Sequence, residues 1–246
     1  MSFFAVSPDD KHIAVAVEDL SSSDSINLRL YVEDLIGGGH HAEIYSTTVA
    51  KQGGNILWPM GWRQGLLVLA VMAACDPYLS SLSPVAWHVV DPANGDRKYA
   101  VIGYGCTLSR WPSPTGETCT VNGRTDVYNW LGGVIWTLSN WNNGTDPQSG
   151  LSPSGQRVFI SGNGVTQCTT GEAGTCIIVG AGTSTDPRIY AMAVKHYGCL
   201  WIDEDHVLAP DAIIEMPSKQ FPDSRYVPVI PLGHSGTCAG RFPGGL

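Results

Sequence analysis

Charge is scarce in this chain: 15% of its 246 residues are Asp, Glu, Lys or Arg, and only 14 of them are basic. The bases form no cluster, so no footprint for a phosphate backbone exists, and nucleic acid is not an expected partner. The formal net charge of −8 reads as a solubility device. Long apolar runs are also missing. The longest, Leu66 to Cys75, has ten residues, about half of what a membrane-spanning helix needs, so no membrane insertion is expected. The start, MSFFAVSPDD, lacks the basic and apolar regions of a secretion signal, and any targeting segment is expected to lie outside this sequence. No segment holds a 3.6-residue apolar period over three turns, which argues against helices.

Catalytic signatures are absent as well. There is no G-x-S-x-G elbow, and GHSG (Gly233 to Gly236) has the wrong spacing. GAGTST (Gly180 to Thr185) lacks the Lys and the helix of a phosphate loop. Carboxylate pairs for glycoside cleavage are defined by distance in space, which sequence does not supply. No catalytic residue is therefore named.

What the chain does have is glycine (29) and proline (16), the composition of many short strands joined by tight turns, and tryptophan (8) and tyrosine (9), which suggest broad aromatic packing, with most tryptophans expected to pack between blades. A pattern recurs: a Ser-Pro-x-Gly turn, then an alternating apolar run. It is plainest in LSPSGQRVFISG (Leu151 to Gly162) and AVSPDDKHIAVAVED (Ala5 to Asp19). RWPSPTGETCTVNG (Arg110 to Gly123) is a third copy; WPMGWRQGLLVLAV (Trp58 to Val71) and LWIDEDHVLAP (Leu200 to Pro210) are diverged ones. The turns at Ser7, Trp58, Ser113, Ser152 and Leu200 are 51, 55, 39 and 48 residues apart. Units of this length, each with about four short strands, predict an all-β propeller of about five four-stranded antiparallel blades. The alternative is a β-sandwich with coincidental turns. The ring is either five-bladed or part of a larger one. One domain, 1–246, is expected, with blades near 3–54, 55–106, 107–147, 148–194 and 195–246. Asp91-Pro-Ala-Asn-Gly-Asp96 is a clear hairpin turn. Asp203 to Ala212 is the one place where a helical turn is conceivable.

The SPDDKHIAVAVED and SPSGQRVFISG segments resemble the WD40-like PD40 repeats of TolB-type β-propellers, in which an SP-D-G core leads into a strand. The third copy keeps Ser113, Pro114 and Gly116, the second Trp58, Pro59 and Gly65, and the fifth only its strand. The resemblance implies the fold and leaves the chemistry open, because propellers serve both binders and enzymes.

Seven cysteines are present, with no CxxC pair and no zinc-finger spacing. Cys168–Cys176, Cys106–Cys119 and Cys199–Cys238 are candidate disulfides, and Cys75 is left free. The favoured reading is extracytoplasmic, secreted or cell-envelope; the alternative is seven reduced thiols in the core.

Among residues that can carry chemistry, His40-His41 reads as a solvated turn, since neighbours on a strand face opposite ways. Asp203, Glu204, Asp205 and His206 are the weak metal candidates, calcium being the ion that suits them, against the reading of an acidic hairpin turn. Asp9-Asp10 reads as a turn as well. Trp141, in the polar stretch SNWNNGTD, is the binding candidate for a sugar or a partner. The expected function is a non-catalytic, extracytoplasmic binding or scaffold module whose loops meet a protein or glycan partner, without a cofactor. The alternative is a metal-supported propeller hydrolase or lyase acting on a glycan or lactone. No oligomeric state is implied.

Overall fold

The structure is a computed structural model, which describes residues 2–37, 41–74, 84–102, 105–109, 111–121, 123–139, 145–163, 175–181, 188–194, 200–209, 212–216 and 225–227. All the regular structure among them is β. Twenty strands form five four-stranded antiparallel sheets, each a meander in chain order. Sheet 1 holds β1 (Ser2–Val6), β2 (His12–Asp19), β3 (Ser25–Asp34) and β4 (His41–Ala50). Sheet 2 holds β5 (Asn55–Arg63), β6 (Leu66–Ala73), β7 (Ala86–Val90) and β8 (Arg97–Ile102). Sheet 3 holds β9 (Thr107–Leu108), β10 (Gly116–Val121), β11 (Arg124–Asn129) and β12 (Val134–Leu138). Sheet 4 holds β13 (Thr145–Leu151), β14 (Arg157–Asn163), β15 (Thr175–Ala181) and β16 (Arg188–Val194). Sheet 5 holds β17 (Leu200–Trp201), β18 (His206–Ala209), β19 (Ala212–Glu215) and β20 (Arg225–Val227). This is the repeating unit of a β-propeller, and the fold class expected from the turns is the one observed.

Two details differ from expectation. β13 starts at Thr145, inside the stretch assigned to the third blade. TDPQSGL shows no apolar alternation, and its proline falls where the register slips between Thr145 and Gln148, which hides the strand from a periodicity search. Residues 203–205 form a bend between β17 and β18 rather than a helical turn: Ile202 N–H donates to the His206 carbonyl at 2.8 Å, and Asp203 caps the bend by accepting from the amides of Asp205 and His206.

The chain divides into two compact units, of which the described residues fall as follows. The first contains sheets 1 and 2 and the turn Trp130–Gly132; the second contains 105–129 and the described residues from Gly133 onward. In the first, strict alternation along β3 buries Ile26, Leu28, Leu30 and Val32, whereas β6 is buried on both faces from Leu67 to Met72. A strand covered on both sides is why Leu66 to Met72 reads as an unbroken apolar run. In the second, Val127, Trp136, Leu138, Leu151, Val158 and Ile160 form the core between sheets 3 and 4. Phe159, Trp201, Val207, Ile214 and Met216 form that between sheets 4 and 5. Each such side chain contributes about 1.5–3 kcal/mol on full burial.

The Ser-Pro turns of sheets 1 and 4 are the same object. Ser7 N–H donates to the His12 carbonyl and Ser152 N–H to that of Arg157, both at 2.8 Å. The two hydroxyls accept from the same downstream amides, His12 at 2.9 Å and Arg157 at 3.2 Å. The fourth residue of each is left-handed, Asp10 at φ 56° and Gly155 at φ 76°. Here Asp substitutes for Gly at the cost of some strain, since Asp tolerates this region better than most residues. Sheet 2 closes with Gln64-Gly65, both at positive φ (50° and 78°), as a two-residue primed hairpin requires. The third copy departs from the pattern: Ser113 N–H bonds the Gly116 carbonyl directly, a tighter loop within the same Ser-Pro-x-Gly letters.

Candidate functional site

Sheets stack through indoles placed by the repeat. Trp62, one residue before the closing pair of the β5–β6 turn, donates its ring N–H to the Ala5 carbonyl at 3.2 Å. Trp201, at the equivalent point of β17, donates to the Gly150 carbonyl at 2.8 Å. Ala5 and Gly150 each stand two residues before the serine of a Ser-Pro turn. One sheet's first strand thus latches onto the first strand of the sheet before it. Trp136 adds a bond to the Gly155 carbonyl (2.8 Å), and Trp58 stacks on Phe3 at 4.0 Å while donating to Glu18 at 2.8 Å. Trp201 also sits beneath the Arg157 guanidinium, 5.2 Å from its ring centre. Expecting tryptophan to pack between blades therefore matches the geometry at these four positions.

These latches bring turns of one type together. In the second unit the turn 202–205 meets the turn Ser152–Arg157. Glu204 accepts from the Ser154 hydroxyl (2.8 Å) and amide, Arg157 pairs with Asp205 (3.1 Å) and also reaches the Glu204 carbonyl. Asp203 turns back on its own loop, accepting from the amides of Asp205 (2.8 Å) and His206 (2.9 Å) and facing the imidazole of His206 at 2.8 Å. Partial burial opposes ionisation of Asp203, but those bonds outweigh it and hold the carboxyl below its ordinary range. The three carboxylates nominated for calcium thus serve three different partners. Among the described residues no group of three His, Cys, Asp or Glu converges as a metal site.

In the first unit the turns joining third to fourth strands carry apolar tips. Leu35 and Ile36 follow β3, and the Leu35 amide is tied to the Lys11 carbonyl (2.8 Å), which places them beside the Ser7–His12 turn. Ile36 is 78% exposed and Leu131, in the Trp130–Gly132 turn, 62%. Between them in sequence lies the Asp91–Asp96 turn, closed by Asp91 N–H to Asp96 carbonyl at 2.9 Å and flanked by the Lys98 ammonium. His41 pairs with Glu33 at 2.7 Å and packs its ring on Tyr31.

Sheet 3 contains a polar interior that the sequence reading did not single out. Glu117 is 1% exposed. Its Oε1 accepts from the amides of Thr118 (2.6 Å) and Ser109 (3.1 Å), whereas Oε2 has no partner among the described residues. Burial without a cation drives this carboxyl well above the ordinary range, against the pull of those amides. On the other face of β10, Thr118 and Thr120 share the Ser149 hydroxyl of β13 at 2.8 and 3.0 Å. GETCTV carries polar residues on both faces of a buried strand, so no alternation marked Glu117 in advance. For Ile36 there was a signal: an apolar pair directly before three glycines, where a turn is expected to be polar.

Cys106 and Cys119 are disulfide-bonded, joining the residue before β9 to the middle of β10. Cys75, Cys168, Cys199, Cys238, His40 and Trp141 lie outside the described residues, as does the partner expected for Cys176, which falls in β15.

No protein-family model and no curated protein matches the chain. Among solved structures it is similar to the WD40 domain of SCAP from fission yeast, at 10% identity and TM-score 0.49, covering 92% of this chain and 64% of that one. This chain therefore spans less than two thirds of that structure's length. The Neurospora crassa Pan2 WD40 domain is similar at 9% identity and TM-score 0.41, covering 94% and 79% of the two chains. KlAtg21, in complex with the coiled-coil of AgAtg16, is similar at 10% identity and TM-score 0.47, covering 89% and 82%. Two of these three are WD40 domains by name, and a propeller of the PD40 or TolB type, expected from the Ser-Pro repeats, is not among the three. Likeness at these values speaks to neither partner nor activity.

Proposed function

We propose that the protein is a non-catalytic binding module that engages a protein partner through the turn after β3 and the turn Trp130–Gly132. The observation that carries this reading is the pair of apolar tips, Ile36 and Leu131, raised into solvent on turns whose backbones are pinned by hydrogen bonds. Pinned turns cost little entropy to order on binding, and apolar side chains on them supply the desolvated centre that an interface needs. The disulfide supports an extracytoplasmic setting. A glycan partner is the second class of ligand, read through Trp141.

The test is quantitative photo-crosslinking in the native extract, with a photoreactive amino acid at Leu35, comparing the parent with Ile36→Asp and Leu131→Asp. One discrete crosslinked protein, lost in both variants while their melting temperature stays unchanged, is expected. Equal crosslinking by parent and variants contradicts the reading. The hydrolase or lyase alternative is tested separately: a rise in melting temperature on adding calcium to metal-stripped protein supports it.

A further inference from the structure

We propose that Cys106–Cys119 is a redox-controlled clasp that locks residues 105–109 and 111–115 against sheet 4 and releases these alone when it is reduced. Three observations lead there. First, β9 is two residues long, pairing only Thr107 with Thr120 and Leu108 with Cys119, whereas the first strands of sheets 1 and 2 pair over five residues or more. The disulfide bonds the residue just before β9 to the very residue that Leu108 opposes, so it takes the place of a ladder that the strand is too short to build.

Second, the segment it closes carries part of the seam with sheet 4. The Ser113 hydroxyl donates to the Ser152 carbonyl at 2.7 Å, and the Thr115 side chain fills the space beside Gly155, where an added Cβ would come within 2.7 Å of its hydroxyl. The remainder of that seam does not depend on the segment: Thr118 and Thr120 reach Ser149 from β10, and the apolar core is built from β11, β12, β13 and β14. Loss of the clasp therefore removes one edge of the contact and leaves its centre.

Third, the two sulfurs differ in access. Cys119 is 7% exposed, whereas Cys106 is half-buried and precedes the strand. An external dithiol attacks at Cys106, releasing the Cys119 thiolate, which takes up a proton. The dithiol's second thiolate then resolves the mixed disulfide, freeing Cys106 and leaving the reductant as its own disulfide: two electrons and two protons pass to the protein. Glu117, on the same face of β10 two residues before Cys119, lends no positive charge that would hold the released sulfur as a thiolate.

The experiment is hydrogen exchange read by mass spectrometry on the intact chain, oxidised and after a dithiothreitol titration, with non-reducing peptide mapping of the bond. Other disulfides reduced by the same reagent are separated by the double variant Cys106→Ser/Cys119→Ser without reductant. Removing a crosslink of this loop length is expected to speed exchange of the 105–115 amides on the order of 100-fold. Exchange in β11, β12 and β14 stays unchanged, and reoxidation restores protection. Free thiols at both positions in the untreated protein overturn the proposal. So does reduction that leaves 105–115 unchanged, or one that unfolds the whole second unit, which would make the bond a global staple. If the double variant does not fold, reduction of the folded parent decides alone.

Discussion

Replacing Trp201 by Phe removes one indole N–H and part of a ring from a site that is otherwise closed. The indole is buried, donates to the Gly150 carbonyl at 2.8 Å, contacts Phe159 at 6.0 Å and lies under Arg157. Leaving that carbonyl without this donor costs about 1–2 kcal/mol. The smaller ring leaves space that neighbours refill only in part, which adds about 1 kcal/mol. The phenyl keeps a weaker contact with the guanidinium, so little is lost there. The sum, about 2–3 kcal/mol, is a large share of the ~5–15 kcal/mol of a typical domain. Urea unfolding followed by far-ultraviolet circular dichroism measures it, since the substitution alters fluorescence directly. Trp62→Phe, whose bond is longer at 3.2 Å, is expected at the lower end of the same range. A loss below about 0.5 kcal/mol for Trp201→Phe, the size of an ordinary surface change, would refute the idea that these indoles latch successive sheets.

Three further outcomes are expected. Glu117 is raised in the folded state, so the native protein holds a proton that the unfolded chain has released. Its contribution is complete below the unfolded carboxyl's range and is lost as pH rises through the folded value, with a slope of at most ~1.4 kcal/mol per pH unit. Glu117→Gln is expected to flatten urea midpoints across that window; an unchanged slope means that the carboxyl is already ionised or solvated. Gly65→Ala and Gly155→Ala impose the same left-handed strain, at φ 78° and 76°, but only the second meets a neighbour, Thr115 Oγ1 at 2.7 Å. Gly65→Ala is expected to cost about 1 kcal/mol and Gly155→Ala measurably more; equal losses in thermal melts would mean that Thr115 simply moves aside. Asp10→Gly, relieving φ 56° in the equivalent turn, is expected to stabilise by a few tenths to 1 kcal/mol, and a lower melting temperature would contradict the equivalence of the two turns.

The fold was legible because turns punctuate it. Ser-Pro turns, Gln64-Gly65 and Asp91–Asp96 impose backbone conformations that few residues can adopt, so their spacing survives where strand patterns blur. Strands buried on one face, such as β3, were legible from alternation; β13, interrupted by Pro147, was not. The site was less legible for a different reason. Glu204 and Asp205 lie 47 and 48 residues from Arg157, and their meeting depends on how sheets stack, which no local pattern encodes. The acidic density of IDEDH suggested a cation; the structure shows the carboxylates engaged with Ser154, Arg157 and His206 instead. Of the disulfide candidates, Cys106–Cys119 was marked by the Pro-rich loop between its cysteines, and β9 and β10 are the strands that loop joins.

Photo-crosslinking at Leu35 in native extract, with Ile36→Asp and Leu131→Asp as comparisons, tests the central claim most directly. The binding-module account predicts one discrete protein adduct that both variants abolish without loss of thermal stability. Adducts that are identical in number and yield across the parent and both variants would contradict it.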